Sequence, residues 1–411
     1  MPADLKAQLA VLRRRVTRIE HKYREPLRPL RYDAEQVLTG TVCENTRGSY
    51  FLHQKFYPAH RRHGSVELGR LAELGGELVA GISRREIPPI EPARWAFLDT
   101  ETTGLAGGTG TCAFLVGVGT IEEAGFRVRL FFMRDYEEEP AMLAGLAEFL
   151  AGYDLVVTYN GKAYDAPLLE TRYRLNRQQP PLDGKAHLDL LFAARRLWKL
   201  RLESCRLVEL ENQILGVERE GDLPGEMIPY YYFEYLRTRQ AFRLVPLFHH
   251  NVMDIVSLAA LTAVVLPAYA GPAEARQECL GYHGEDLLGL ARWLRVNECF
   301  EEALELYRQA VNSRLADQHL FRALWETAEI EKKLGRRDRA LAVWCDLASG
   351  KNPYRQAALE ELAKHYEHRE KNYSMALEMT ASALELGHSP ELERRRQRLE
   401  SKAAGESSRL I

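Results

Sequence analysis

Asp99 and Glu101 stand two residues apart at the end of the apolar run Trp95-Ala96-Phe97-Leu98, and Thr102-Thr103-Gly104-Leu105 follows them. In an extended strand, residues i and i+2 share a face, so the two carboxylates converge while Thr100 turns away. Two anions held that close repel each other, and one takes up a proton unless a cation stands between them. A divalent metal is the usual remedy. A bare Asp-x-Glu is far more often a solvated strand end than a metal site, so the pair needs further acids to close one.

Those acids lie downstream. Leu155-Val156-Val157-Thr158-Tyr159 reads as a second buried strand that breaks at Asn160-Gly161, and the helix pattern that follows puts Asp165 near a helix start. Further on, Phe248-His249-His250-Asn251-Val252-Met253-Asp254 carries apolar residues at helical spacing, with His250 one turn before Asp254 on the same face. Taken singly, each is ordinary: Asp165 as a capping acid, His250 as a core histidine, Asp254 as half of a surface pair.

In order, the acid pair on a strand, the Asp after Asn-Gly and the His-x-x-x-Asp on a late helix resemble the three exonuclease motifs of the DEDD superfamily. Phe97 to Leu105, Tyr159-Asn160-Gly161-Lys162, His187-Leu188-Asp189-Leu190 and His250 to Asp254 are similar to the bacterial YprB-type exonucleases in particular. The resemblance covers roughly residues 94 to 266 and implies an α/β, ribonuclease H-like fold with a mixed sheet flanked by helices. It implies that Asp99, Glu101, Asp165 and Asp254 hold two magnesium or manganese ions, the metals that hard oxygen ligands suit. The reaction would be hydrolysis of a nucleic acid from its 3′ end, the metal pair serving the attacking and leaving oxygens at once. His250 would be the general base, and Thr102, Thr103, Gly104, Leu105 and Asn160 would line the pocket for the terminal nucleotide. In the superfamily the histidine version spaces His five residues before the last Asp and the tyrosine version spaces Tyr four before it; His249 has the first spacing and His250 the second. A rotation of about 100° per residue exchanges the two, so His249 stays open as the base.

Composition bounds these readings. The 411 residues suffice for about two or three domains with large cores. A formal net charge of −2 carries no global basic signature, which argues against a sequence-blind nucleic-acid coat but not against a local basic groove. Cys43, Cys112, Cys205, Cys279, Cys299 and Cys345 form no Cys-x-x-Cys pair, so neither a zinc site nor a disulfide framework is indicated. The start Met1-Pro2-Ala3-Asp4 lacks a signal-peptide pattern, and no run reaches the ~18 uninterrupted apolar residues of a membrane span; the expected location is the cytoplasm, away from membranes.

The expected organisation is an N-terminal extension and linker over 1–93, an exonuclease domain over 94–270, a helical repeat domain over 283–390 and a charged tail over 391–411 that frays. Residues 1–31 are basic and read either as a phosphate-binding arm or as a solvated amphipathic helix, and the remainder of the extension packs on or caps the catalytic domain up to the Pro-rich linker Ile87–Pro92. Gly104, Gly107, Gly108 and Gly110 make a turn beside the acid pair; with no Lys-Ser/Thr after it, a phosphate loop is disfavoured. Asp189 reads equally as a supporting acid or a helix cap. The stretch Arg195 to Arg201 reads equally as a nucleic-acid track or an amphipathic helix, and Tyr230, Tyr231, Tyr232 and Tyr235 read as packing ahead of base stacking.

Past residue 283, Ala303, Ala340 and Ala376 recur at spacings of 37 and 36, and Ala291 and Ala328 each precede a member by twelve, the pattern of three slightly long tetratricopeptide repeats. Such helix pairs either present a concave surface to a protein partner, a helicase for example, or merely brace the nuclease domain. Three functions follow: an exonuclease on DNA, acting in repair; a scaffold that grips nucleic acid and recruits a partner; and an RNA-trimming enzyme with the same chemistry but a pocket that reads the 2′-hydroxyl. The presence of all four acids favours an active enzyme, and DNA is favoured over RNA.

Overall fold

A computed structural model describes residues 32–84, 86–104, 110–270 and 283–407. The basic N-terminal stretch, Leu105, Gly107, Gly108 and Cys279 lie outside the described residues. The chain divides into two compact units: residues up to Gly76 with Pro89–Asp189 and Leu210–Ala263 form the first, and Glu77–Pro88, Leu190–Glu209 and the chain from Val264 onward form the second.

The first unit is built on a sheet. β1 (Thr41–Asn45) and β2 (Gly48–Pro58) come first, then the two-residue ladder of β3 (Arg62–His63) and β4 (Val66–Glu67). β5 (Trp95–Thr102), β6 (Ala113–Glu122), β7 (Gly125–Phe132), β8 (Leu155–Thr158) and β9 (Ala186–Asp189) follow. All but β3 and β4 join one seven-stranded mixed sheet in the order β1-β2-β7-β6-β5-β8-β9. β8 runs parallel to both β5 and β9, whereas the pairings among β1, β2, β7, β6 and β5 are antiparallel. β5 and β8 are apolar on both faces because they lie in the sheet interior, and Trp95 to Leu98 and Leu155 to Val157 are buried accordingly. Apolar runs at about 94–99, 112–120, 126–133 and 154–159, with helical patterns at 140–151 and 165–176, predict a strand-strand-strand-helix-strand-helix order, and that order is observed, with helices at Glu139–Leu150 and Asp165–Leu175.

Residues 41–58 correct the expected boundary at 93. They do not cap the catalytic domain but extend its sheet: β2 pairs with β7 from Phe51↔Phe132 to Pro58↔Gly125. An unpaired β7 would leave a long apolar edge, and the hairpin at Asn45–Gly48 supplies the strand that covers it.

The sheet alternates its faces. Phe131 meets Phe149 of the Glu139–Leu150 helix on one side, while Phe132 meets Phe248 of the long Val245–Ala270 helix on the other. The stretch Ala241–Ala270 is long and apolar enough to cross a membrane by length and composition, though polar residues interrupt it, and 72% of its apolar 18-residue segment is buried. That burial is what a core helix shows.

The second unit is helical. Gly284–Val296 packs with Phe300–Asn312, Asp317–Lys333 with Arg337–Ser349, and Arg355–His365 with Tyr373–Leu386. The five alanines picked out by their spacing are fully buried, so each small residue lies where a neighbouring helix approaches. Leu190–Trp198 buries Leu190, Leu191, Ala194, Leu197 and Trp198 in this unit, the amphipathic reading of that stretch, and Arg201 pairs with the buried Asp286 at 2.8 Å. The tail is ordered where fraying was expected: Pro390–Ser407 is a helix, with Leu392 and Leu399 buried and Arg395, Arg398 and Lys402 gathered around the Glu367 carboxylate. Charge density misled the sequence reading here, because the charges are partnered.

Candidate active site

β5 sets the site. Its register pairs Asp99 with Gly117 and Glu101 with Leu115, so the two acids share the face on which the Val245–Ala270 helix lies. Beyond Glu101 the pairing with β6 slips by one residue, Thr102 facing Ala113, and this bulge ends the ladder beside the acids. Gly117 leaves the room that the helix needs: a Cβ there would sit 2.1 Å from Asn251 Oδ1. Asn251, fully buried, donates from Nδ2 to Asp99 Oδ2 at 2.8 Å.

Thr100 points to the opposite face and is used there. Its hydroxyl donates to Asp165 Oδ1 at 2.5 Å, tying the first turn of the Asp165–Leu175 helix to the acid strand. The preceding loop is held by Asp189, whose carboxylate accepts the backbone N–H groups of Asn160 (2.8 Å) and Lys162 (3.1 Å). Asp189 is therefore a supporting acid for the loop. Asn160 adopts a left-handed φ of 67°, which Asn tolerates better than most residues. A cleft of about 320 Å³ opens here, lined by Asp99, Thr100, Thr102, Gly104, Asn160 and Asp165 among others.

On the third side, among the described residues, Glu101, His250 and Asp254 bring ligand atoms within 4.8 Å of one another. His250 Nδ1 meets Asp222 Oδ2 at 2.9 Å, and its Nε2 lies 3.4 Å from Asp254 Oδ2. His249 is exposed.

Electrostatics bind the acids into one group. Burial, then the charges of Asp254, Asp165 and Glu101, push Asp99 well above the usual carboxylate range. Glu101 is raised by burial and by Asp254, against the hydrogen-bonding pull of Asn251. Burial lifts Asp165 to about 6 despite the bond from Thr100. Carboxylates that burial and one another's charge keep from ionising fit a divalent cation, and oxygen donors of this kind suit magnesium or manganese.

A family model of the RNase_H superfamily matches residues 96–266. YprB of Bacillus subtilis (strain 168), described as an uncharacterized protein, is 32% identical over 336 residues, which is 80% of this chain and 78% of the relative. The chain belongs to the YprB family, within the RNase_H superfamily. The mixed sheet with flanking helices is the RNase H-like, nuclease-type fold of that superfamily. The family B DNA polymerase from the hyperthermophilic archaeon Pyrobaculum calidifontis is also similar, at 15% identity with a TM-score of 0.35, over 50% of this chain and 29% of the polymerase.

Of the residues the sequence pointed to in this YprB-family chain, Asp99, Glu101, Asp165, Asp254 and His250 are brought together. Thr102, Gly104 and Asn160 line the cleft, and Leu105 lies outside the described residues. Thr103 has a different job, its hydroxyl accepting the Cys112 N–H at 3.0 Å to close the strand end. Tyr232 and Tyr235 are packed within the core, while Tyr230 is exposed. His63 and His187 are likewise structural: burial lowers each to about 4, and they bond Ser257 and Thr158.

Sequence reading missed Thr100, Asn251, Gly117, Glu211, Arg219 and Asp222. Arg219 is nearly buried and pairs through Nη2 with both Glu211 and Asp254, the latter at 2.5 Å, and through Nη1 with Asp222 at 3.0 Å. Against the cost of burial, Asp254 and Glu211 hold its guanidinium firmly charged. The stretch Val217-Glu218-Arg219-Glu220-Gly221-Asp222 has no periodicity and reads as a solvated turn, so nothing in it marks one arginine as buried.

Proposed function

We propose that this chain is a divalent-metal-dependent 3′–5′ exonuclease acting on DNA in the cytoplasm, with Asp99, Glu101, Asp165 and Asp254 as metal ligands and His250 as general base. The observation that carries the reading is the gathering of four carboxylates in one place, with Asp99, Glu101 and Asp165 held above the usual carboxylate range chiefly by burial, an arrangement that divalent cations would relieve. Magnesium or manganese bound there would supply Lewis-acid stabilisation of an in-line phosphodiester displacement.

The chain's own groups do the rest. With Nδ1 engaged by Asp222, His250 offers Nε2 on the acid side, where it accepts the proton of an attacking water. Thr102, Gly104 and Asn160 border a cleft whose size suits a terminal nucleotide. Asp189 and Thr100 fix the loop and the helix start that carry Asn160 and Asp165. The paired helices with their buried alanines support a tetratricopeptide-type surface for a protein partner, such as a helicase in DNA repair.

The deciding experiment follows a 5′-labelled DNA strand, with a matched RNA alongside, in manganese and in EDTA. Stepwise shortening from the 3′ end that needs the metal, stops at a blocked 3′ terminus and disappears in Asp99→Ala is the expected result. Intact label in manganese, or unchanged cleavage by Asp99→Ala, overturns the proposal.

A further inference from the structure

Arg219, Asp254, His250 and Asp222 close a ring. Arg219 Nη2 donates to Asp254 Oδ1 (2.5 Å), Asp254 Oδ2 faces His250 Nε2 (3.4 Å), His250 Nδ1 meets Asp222 Oδ2 (2.9 Å), and the same Asp222 oxygen accepts Arg219 Nη1 (3.0 Å). Two elements build it, the 219–222 turn and one turn of the Val245–Ala270 helix. Glu211, whose side chain is 1% exposed, anchors the guanidinium from behind.

We propose that Arg219 is a positioning residue that permanently occupies one oxygen of Asp254, leaving the other to a catalytic cation, and that through Asp222 it fixes His250 with Nε2 toward the reacting water. The proposal rests on the metal-dependent nuclease reading above. Its physical basis is the planar fork of the guanidinium, which spans two carboxylates at fixed separation as an ammonium does not. Arg219 thus opposes cation binding twice: it adds a positive charge near the site and withholds a ligand oxygen from it. In return, the geometry of the base is set before substrate arrives.

A pillar that merely supported the fold would show a different signature. Its loss would weaken metal binding and turnover together, whereas loss of the positioning role separates them. The test compares wild type, Arg219→Lys, Arg219→Gln and the double variant Glu211→Gln/Arg219→Gln in the full chain. The double variant removes the deepest carboxylate that the single change would strand, and circular dichroism and thermal melting verify its fold.

Manganese binding is measured by calorimetry with the ion alone, and kcat and KM on a 5′-labelled single-stranded DNA. For the double variant, manganese is expected to bind roughly tenfold tighter while kcat falls roughly a hundredfold with KM little changed. Arg219→Lys is expected to keep near-normal manganese affinity but lose kcat, because it retains the charge without the fork. Weaker manganese binding in parallel with lower kcat, or unchanged kcat in the double variant, overturns the positioning role while leaving the nuclease reading intact. A wild-type chain that neither binds manganese nor cleaves DNA overturns both.

Discussion

Asp165→Asn should make the metal-free protein more stable. Asp165 keeps its proton up to about pH 6 when folded, against 3.8 as the ordinary value, so the folded state binds more protons than the unfolded state between those limits and loses stability as pH rises through them. A difference of about two pH units at about 1.4 kcal/mol each gives a loss of about 3 kcal/mol, complete above about pH 6. Asparagine removes the charge and keeps an acceptor for the Thr100 hydroxyl. With each kcal/mol worth about 2–4 °C in a unit of this size, the variant should melt roughly 6–12 °C higher in EDTA at about pH 7.5. At about pH 4 the folded state keeps its proton and the unfolded state is only about half ionised at this position, so the gain should shrink to a small fraction of its value at neutral pH. With saturating manganese the order should reverse, because the wild type then gains ligand-linked stability that the variant forfeits. Differential scanning calorimetry at the two pH values, with and without the metal, reads all of this. A variant less stable than wild type in EDTA at about pH 7.5, or a gain that persists unchanged at about pH 4, would refute the claim that burial keeps Asp165 from ionising in the metal-free fold.

Gly117→Ala places a methyl group 2.1 Å from Asn251 Oδ1 and must displace the side chain that orients Asp99, so cleavage of labelled DNA should drop about a hundredfold while the far-ultraviolet spectrum is retained. His250→Ala should lower kcat by about 10²–10⁴ in the same assay, and His249→Ala, at an exposed position, should leave it unchanged; the opposite pattern would move the base to His249. Against the upward push of burial, Arg398 and Lys402 hold Glu367 at about 2, so its contribution is present above pH 4.5 and fades as pH falls toward 2. The protection of amides from exchange across Pro390–Ser407, corrected for the intrinsic rate at each pH, should accordingly fall in acid, and in Glu367→Ala at neutral pH, ahead of the Gly284–Val296 helix.

Local signals reveal part of this molecule and not the rest. Apolar runs with turn residues at their ends placed β5 to β8 and the helices between them, because a strand buried on both faces or a helix with one apolar stripe is a property of neighbouring residues. The acid pair, Asp165 and the His250–Asp254 turn were legible for the same reason, each being a spacing within a few residues. Thr100 and Gly117 were not, since their roles exist only once β5, β6 and two helices meet. Arg219 was the least legible, its partners lying at 211, 222 and 254 with no periodic pattern to link them. The tail was misread from composition, because a dense run of charges means solvation only when its partners are water and not Glu367.

The pairing of β2 with β7 also governs how the chain can be made and cut. β1 and β2 are synthesised first and can close on each other at once through their short turn, but β7 emerges only after Phe132 has been added. Until then the hairpin offers an open edge at which a neighbouring chain can mispair. A recombinant fragment begun at residue 94 inherits the converse fault: β7 keeps its apolar residues but loses its cover, so such a piece should self-associate through that edge, and useful trimming has to begin ahead of Thr41.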